Sequence, residues 1–312
     1  MKPCRRFIVF VASKAGLIIP VLVNVAFFTL LERKILGLSQ MRKGPNKVAR
    51  GGILQPFADA IKLFLKENFA PSSSSWYFFL IAPRIAFSLA LWGWIVFPAG
   101  VSQFSYSYAA ILLLLIMRLG VYPLLFAGWA SNRRYASIGA LRGVAQTVSY
   151  EVGLALILLF FLLRVASPKL SPLVLSSWGG PIVLFTAPAL YLWLIRCVAE
   201  TNRTPFDFSE GESELVSGFN IEYGAGGFAL IFMAEYASIL LMRALCVSLA
   251  LGVNIRSSAG VLGLLILAGV WVWLRATLPR YRYDFLINLA WKRLLPEALL
   301  ILSFISSIVI LL

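Results

Sequence analysis

Long apolar runs separated by short polar breaks dominate this chain. Windows of about 20 apolar residues, enough for a helix to cross a hydrocarbon layer about 30 Å thick, fall near 7–31, 76–98, 104–127, 143–165, 179–199, 224–246, 258–277 and 287–311. The pattern predicts an all-α polytopic membrane protein of about eight transmembrane helices. They form one transmembrane domain over 1–312, with spans two to six inside 76–246 and spans seven and eight inside 258–311. The stretch 53–66 has a different rhythm. Ile53, Leu54, Phe57, Ile61, Phe64 and Leu65 share one helical face, and Gln55, Asp59, Lys62 and Lys66 the other. Too short to span, it predicts an amphipathic helix lying in the membrane interface. The run after Lys2, Arg5 and Arg6 continues to Leu31 without a small-residue cleavage site, so it reads as a first span and not a removed signal.

Charge adds an orientation. With eight spans, the odd-numbered connections and their flanks hold most of the bases, from Arg33, Lys34, Arg42 and Lys43 to Arg280, Arg282, Lys292 and Arg293. By the positive-inside rule they lie on the cytoplasmic or matrix side. The net charge of +15 does not point to nucleic acid, because the bases are dispersed and form no stripe with interleaved aromatics. The chain has no histidine, and Cys4, Cys197 and Cys246 include no C-x-x-C pair. Histidine-ligated haem, histidine-based zinc sites and imidazole triads are excluded, and no metal is expected. Carboxylates, arginines, tyrosines and water remain.

The acids are concentrated in one place. Of 13 acidic residues, six (Glu200, Asp207, Glu210, Glu212, Glu214 and Glu222) fall in the 23 positions from Glu200 to Glu222. Carboxylates this crowded repel and share protons, a proton-handling arrangement, whereas a solvated loop is the plainer alternative. Thr204-Pro205-Phe206-Asp207 reads as a helix start with Thr204 as N-cap. On that short helix Asp207, Glu210 and Glu214 share a face. Glu151 and Glu235 lie inside spans four and six, roughly 12 and 17 Å deep at 1.5 Å per residue. Ionisable groups at such depth face a bundle interior or a water path, or are hydrogen-bonded for packing. Arg118, in span three, is either a partner or a snorkelling base. Pro20 and the glycines Gly224, Gly226 and Gly227 are candidate sites of kinking or unwinding.

Several stretches resemble a known family. Leu31-Glu-Arg-Lys-Ile-Leu-Gly37 with Gln40-Met-Arg-Lys-Gly-Pro-Asn-Lys47 is similar to the first signature of the quinone-site membrane subunits of respiratory complex I, the NADH-ubiquinone oxidoreductase chain 1 family. Glu200 to Glu222, continuing to Tyr236, is similar to the second. Ala145-Gln-Thr-Val-Ser-Tyr-Glu151 and Leu278-Pro-Arg-Tyr-Arg-Tyr-Asp284 fit as well. The chain departs from the family at Leu38-Ser39, Ala49-Arg50 and Arg133-Arg134.

The resemblance implies a subunit of a proton-translocating NADH:ubiquinone reductase with no redox centre of its own. Ubiquinone is its substrate, and flavin mononucleotide and iron–sulfur clusters are expected in partner subunits. It further implies a quinone cavity bounded by the first and sixth spans, the interfacial helix and two hydrophilic partners, lined by Arg33, Arg42, Asp59, Arg203 and Arg282. Glu200, Asp207, Glu210, Glu212, Glu214 and Glu222, with Glu151 and Glu235, would begin an acidic path towards the membrane-arm subunits. Spans two to six would resemble the antiporter-like repeat. The setting implied is the mitochondrial inner membrane, with a bacterial plasma membrane as the alternative. A stand-alone proton or cation transporter is the competing function, and a membrane scaffold is disfavoured by the cost of crowded charge.

Overall fold

A chain segment in lipid must satisfy its backbone hydrogen bonds internally, so each long apolar run folds as a helix. The computed structural model describes residues 2–98, 107–165, 167–170, 182–209, 211, 218–252 and 257–311, and these form helices and turns without any strand. Helix α1 runs Lys2–Ser39, α2 Gln55–Leu65, α3 Trp76–Val96, α4 Ala109–Leu119, α5 Val121–Ala130 and α6 Arg134–Val165. Then come α7 Ile182–Glu200, α8 Ala225–Leu251, α9 Ser258–Thr277, α10 Tyr283–Leu289 and α11 Leu295–Leu311. Among the described residues, six segments are long and apolar enough to cross a membrane: Lys14–Ser39, Trp76–Val96, Ala109–Ala130, Arg134–Val165, Ala225–Leu249 and Ser258–Thr277.

The expected spans need correcting at their ends and in their continuity. The first helix continues past Leu31 through Glu32-Arg33-Lys34 to Ser39, and it runs unbroken through Pro20. The third span is two helices meeting at Gly120. Pro123 has no N–H to give the Leu119 carbonyl, and the Gly120 N–H turns back to Met117 O at 2.9 Å. The fourth helix starts at Arg134 and not near 143, so Glu151 lies at its middle. The last span is α10 and α11 joined by a wide turn over Ala290–Leu294. The amphipathic stretch does form α2, and its Phe57, Ile61, Phe64 and Leu65 are exposed on the isolated chain.

Helix α8 is the central element. With apolar residues spread round its whole circumference, it has 67% of its apolar window buried, against 22–44% for the other spanning segments. It packs against α1, α2, α3, α7 and α9. Ala229, Ala234, Ala237 and Ala244 keep its surface narrow where those neighbours approach, and Trp94 of α3 donates its indole N–H to the Ala237 carbonyl at 3.0 Å. Cys197 of α7 and Cys246 of α8, far apart in sequence, meet with their Sγ atoms 3.8 Å apart.

A buried arginine joins the last helices to this core. A wide turn frees carbonyls from the regular ladder, and Leu294 O in that turn accepts from Arg196 Nη2 of α7 at 2.6 Å. The guanidinium fits because α6 has a glycine opposite it. A Cβ on Gly153 would lie 0.8 Å from Arg196 Nη1. Gly153→Ala is therefore expected to displace the guanidinium and sacrifice a buried charged hydrogen bond, at about 1.5–3 kcal/mol. Thermal aggregation of the protein in its native membrane should begin at lower temperature. An unchanged transition would mean that Arg196 swings aside without loss.

Candidate functional site

The polar segment after α7 is held against α6 by close backbone approach and one amide. A Cβ on Gly139 would meet Ser209 O and Gly218 Cα, both at 3.1 Å, so only glycine lets the segment lie this near. Gln146 Nε2 donates to Ala199 O at 2.8 Å and to Phe206 O at 2.7 Å, fastening the end of α7 to the loop. The expected helix start at Thr204 does not form. Residues 203–209 are turns and irregular backbone, Phe206 N–H donates to Arg203 O at 2.8 Å, and the Thr204 hydroxyl has no partner among the described residues. The reason lies in packing: Phe206 and Phe208 are both buried, and a helix would point residues two apart to nearly opposite sides. Phe206 stacks on Tyr281 with centroids 5.7 Å apart, and Arg280 pairs with Asp207 at 3.3 Å. The loop is thus closed over by the segment between α9 and α10.

The centre of the arrangement is Glu32, a residue absent from the sequence-derived site. Its carboxylate is buried and accepts from Tyr236 Oη of α8 at 2.5 Å, from Arg203 Nη1 of the loop at 3.3 Å, and from Arg275 Nη1 of α9. Four chain segments meet on one carboxylate. The Arg203 guanidinium also lies 4.4 Å from the Tyr236 ring centroid. Burial works against the Arg203 charge, but Tyr236, Glu32 and Glu235 outweigh it and hold its pKa above the usual guanidinium range. One residue on, the helix turns Arg33 outward to bridge Asp59 of α2 at 2.6 Å. Of the five residues expected along the quinone cavity, Arg33, Asp59 and Arg203 therefore gather where α1, α2 and the loop meet. Arg42 and Arg282 do not join them: Arg42 bonds Gln40 at 2.9 Å, Arg282 bonds Asp284 at 3.3 Å, and both are exposed.

The acids divide into two groups. Glu200 and Glu235 line a cavity of about 170 Å³ between α3, α4, α5, α6 and α8, with Thr147, Thr201, Asn202, Ser238 and apolar side chains completing its wall. Glu200 Oε2 and Asn202 Oδ1 are buried without a hydrogen-bond partner among the described residues. A cavity of this size, mostly apolar but with carboxylate, amide and hydroxyl groups in its wall, exceeds the ~15 Å³ that one water needs. Glu151 lies one turn beyond Thr147 and bonds Arg118 Nε at 2.6 Å, which identifies Arg118 as its partner. The other group is absent from the cavity wall and is paired: Asp207 with Arg280, and Glu222 with Arg133 at 3.2 Å, which gives one of the departing arginines a partner in the loop. Glu210, Glu212 and Glu214 lie outside the described residues. Among the described residues, no group of three or more Cys, Asp or Glu is placed to hold a metal ion.

Glu32, Arg275, Tyr236 and Asn202 were missed by sequence reasoning. A signal was present for the first: Glu32 directly follows the apolar run 7–31 and lies inside the Leu31–Gly37 stretch that carries the family resemblance.

The family model described as NADH dehydrogenase matches residues 13–306. The chain is 50% identical over 288 residues to NADH-ubiquinone oxidoreductase chain 1 of Anopheles gambiae, covering 92% of each chain. It is 49% identical over 292 residues to the protein of that name from Aedes aegypti, covering 94% of this chain and 93% of the other. With the one from Myrmecophaga tridactyla it shares 50% over 300 residues, 94% of each.

Proposed function

The chain belongs to the NADH dehydrogenase family, and from that premise we propose that it is the membrane subunit of NADH-ubiquinone oxidoreductase that forms part of the ubiquinone cavity and begins the acidic path to proton translocation. It acts in the mitochondrial inner membrane with two hydrophilic partners at the quinone site and with membrane-arm subunits. The flavin and the iron–sulfur clusters belong to partner subunits. The single observation that carries the reading is the adjacency of two sites on one turn of α8. Tyr236 bonds the Glu32 cluster, while Glu235 lines the cavity that also holds Glu200.

The chemistry follows from charge. Reduction of a quinone to a quinol takes up two electrons, which come from NADH through partner subunits, together with two protons, and alters the local field. Arg203 feels that change at Glu32 and transmits it to Glu235, with which it interacts electrostatically. Glu151 acts on Glu200 as one carboxylate on another, by repulsion. Linked carboxylates turn a change at one into altered protonation of the next. Arg33 and Asp59, beside the exposed apolar face of α2, receive the polar headgroup while α2 admits the apolar tail.

The test uses Arg33→Ala in the assembled complex. The Arg33–Asp59 pair is half-exposed, so its loss leaves stability nearly unchanged. Quinone KM and inhibitor IC50 should rise roughly tenfold, a change of ~1.4 kcal/mol, with NADH oxidation by a hydrophilic artificial acceptor retained. Unchanged quinone kinetics and inhibitor sensitivity would remove Arg33 from the cavity.

A further inference from the structure

We infer that the outward face of α4 and α5 around Arg118 is a protein–protein interface within the membrane, covered by a helix of an adjoining membrane subunit whose carboxylate pairs with the Arg118 guanidinium. The inference rests on the reading of the chain as a subunit of a membrane complex. It starts from a misplaced charge. Arg118 lies near the middle of the span Ala109–Ala130, beside the break at Gly120. Its side chain is 64% exposed on the isolated chain, whereas that of Glu151 is only 8% exposed.

Snorkelling does not resolve the exposure. Arg118 is tied through Nε to Glu151 at 2.6 Å, and Glu151 is itself at the middle of α6. Two mid-helix residues held together cannot reach the headgroup region. The remaining guanidinium N–H groups have no acceptor among the described residues, and lipid tails offer none. The covering surface must therefore supply oxygen atoms.

Spacing indicates what brings them. Ile111, Leu115, Arg118 and Tyr122 follow one another at intervals of four, three and four, and all four are exposed. That is the seam along which one helix packs against another, with a charged position in a row of apolar and aromatic ones. A single charge at such a position fixes the register of its partner. The complement is a helix that is apolar along its contact stripe and has one Asp or Glu at the height of Arg118. Once it is in place, Arg118 is shared between two carboxylates, Glu151 and the partner's. The guanidinium then becomes a positioning residue that links this chain's acids to those of its neighbour.

The experiment places a photoreactive benzoylphenylalanine at Leu115 in the intact complex. Inhibitor-sensitive NADH:ubiquinone reduction before irradiation tests the functional reading by itself. Irradiation should then give an adduct with another membrane subunit, at a peptide holding Asp or Glu within one helical turn of the attachment point. Adducts with phospholipid alone, or with a peptide lacking an acid there, would overturn the inference while the activity stands. In a second arm, Arg118→Gln should lower the recovery of that subunit in detergent-purified complex roughly tenfold, equivalent to ~1.4 kcal/mol. Arg118→Lys should restore part of it. Recovery equal to the parent in Arg118→Gln would also overturn the inference. If that variant fails to assemble, the Leu115 adduct decides.

Discussion

A complex carrying Glu235→Gln is expected to assemble, to oxidise NADH with an artificial acceptor at the parental rate, and to lose most of its ubiquinone reduction and proton translocation. Glutamine preserves the size and hydrogen-bonding capacity of the side chain and removes only its ability to titrate. Glu235 faces the cavity with Glu200 and acts on Arg203, so the substitution interrupts the step between the Glu32 cluster and the cavity acids. Loss of a positioned proton-transfer group is worth about 10²–10⁴ in rate, and coupled turnover should fall at least 10²-fold. Glu67→Gln is the control: Glu67 is exposed just beyond α2 and is not among the residues that line the cavity, and its substitution should change little. Complexes reconstituted in liposomes would be compared for quinone reduction and for the pH gradient formed. Parental turnover and pumping by Glu235→Gln would make Glu235 a packing residue and end the path through α8.

The helices of this fold are legible in the sequence because lipid allows an apolar segment few alternatives. Their ends are less so. Apolar windows stop at Leu31, but α1 continues to Ser39 because Glu32 is neutralised by Arg203 and Arg275, residues from other segments. The break in the third span had its chemistry on view at Gly120 and Pro123, yet hydropathy averages over both. The local signals at Thr204-Pro205 favour a helix start, but burial of Phe206 and Phe208 on one side outweighs them. A cap is worth about 1 kcal/mol, and burial of each aromatic side chain about 1.5–3 kcal/mol.

For the site, acidic residues in runs or deep within spans were visible, and Glu200 and Glu235 do meet in one cavity. What sequence could not supply was the assignment of partners. Six acids within one loop look equivalent in a string of letters. In the fold, Asp207 and Glu222 are each taken by an arginine while Glu200 keeps an oxygen without a protein partner. Arg118 shows the same limit from the basic side, since its partner Glu151 lies 33 positions away.

Glu32→Gln should be the most damaging single change in the described part of the chain. Its buried carboxylate accepts from Tyr236, Arg203 and Arg275 together, and glutamine removes the charge while both guanidinium groups remain. Removing one member of a buried ion pair generally costs about 3–5 kcal/mol, because the other charge is left uncompensated. Arg203 is the more buried of the two arginines, 15% exposed against 36% for Arg275. The penalty therefore falls mainly on Arg203, and the loop it leads should loosen with it. Assembled complex, quantified on native gels, should fall severely, and the residual enzyme should reduce ubiquinone slowly. Arg275→Gln should do less, since water screens that charge. The double variant Glu32→Gln/Arg203→Gln discriminates between the explanations. If the damage comes from an orphaned guanidinium, removing Arg203 as well should recover assembly above the level of Glu32→Gln alone, although quinone reduction remains low because Arg203 no longer links Glu32 to Glu235. Additive losses of assembly in the double variant would show instead that Glu32 and Arg203 act independently, and the cluster would lose its place at the head of the acidic path.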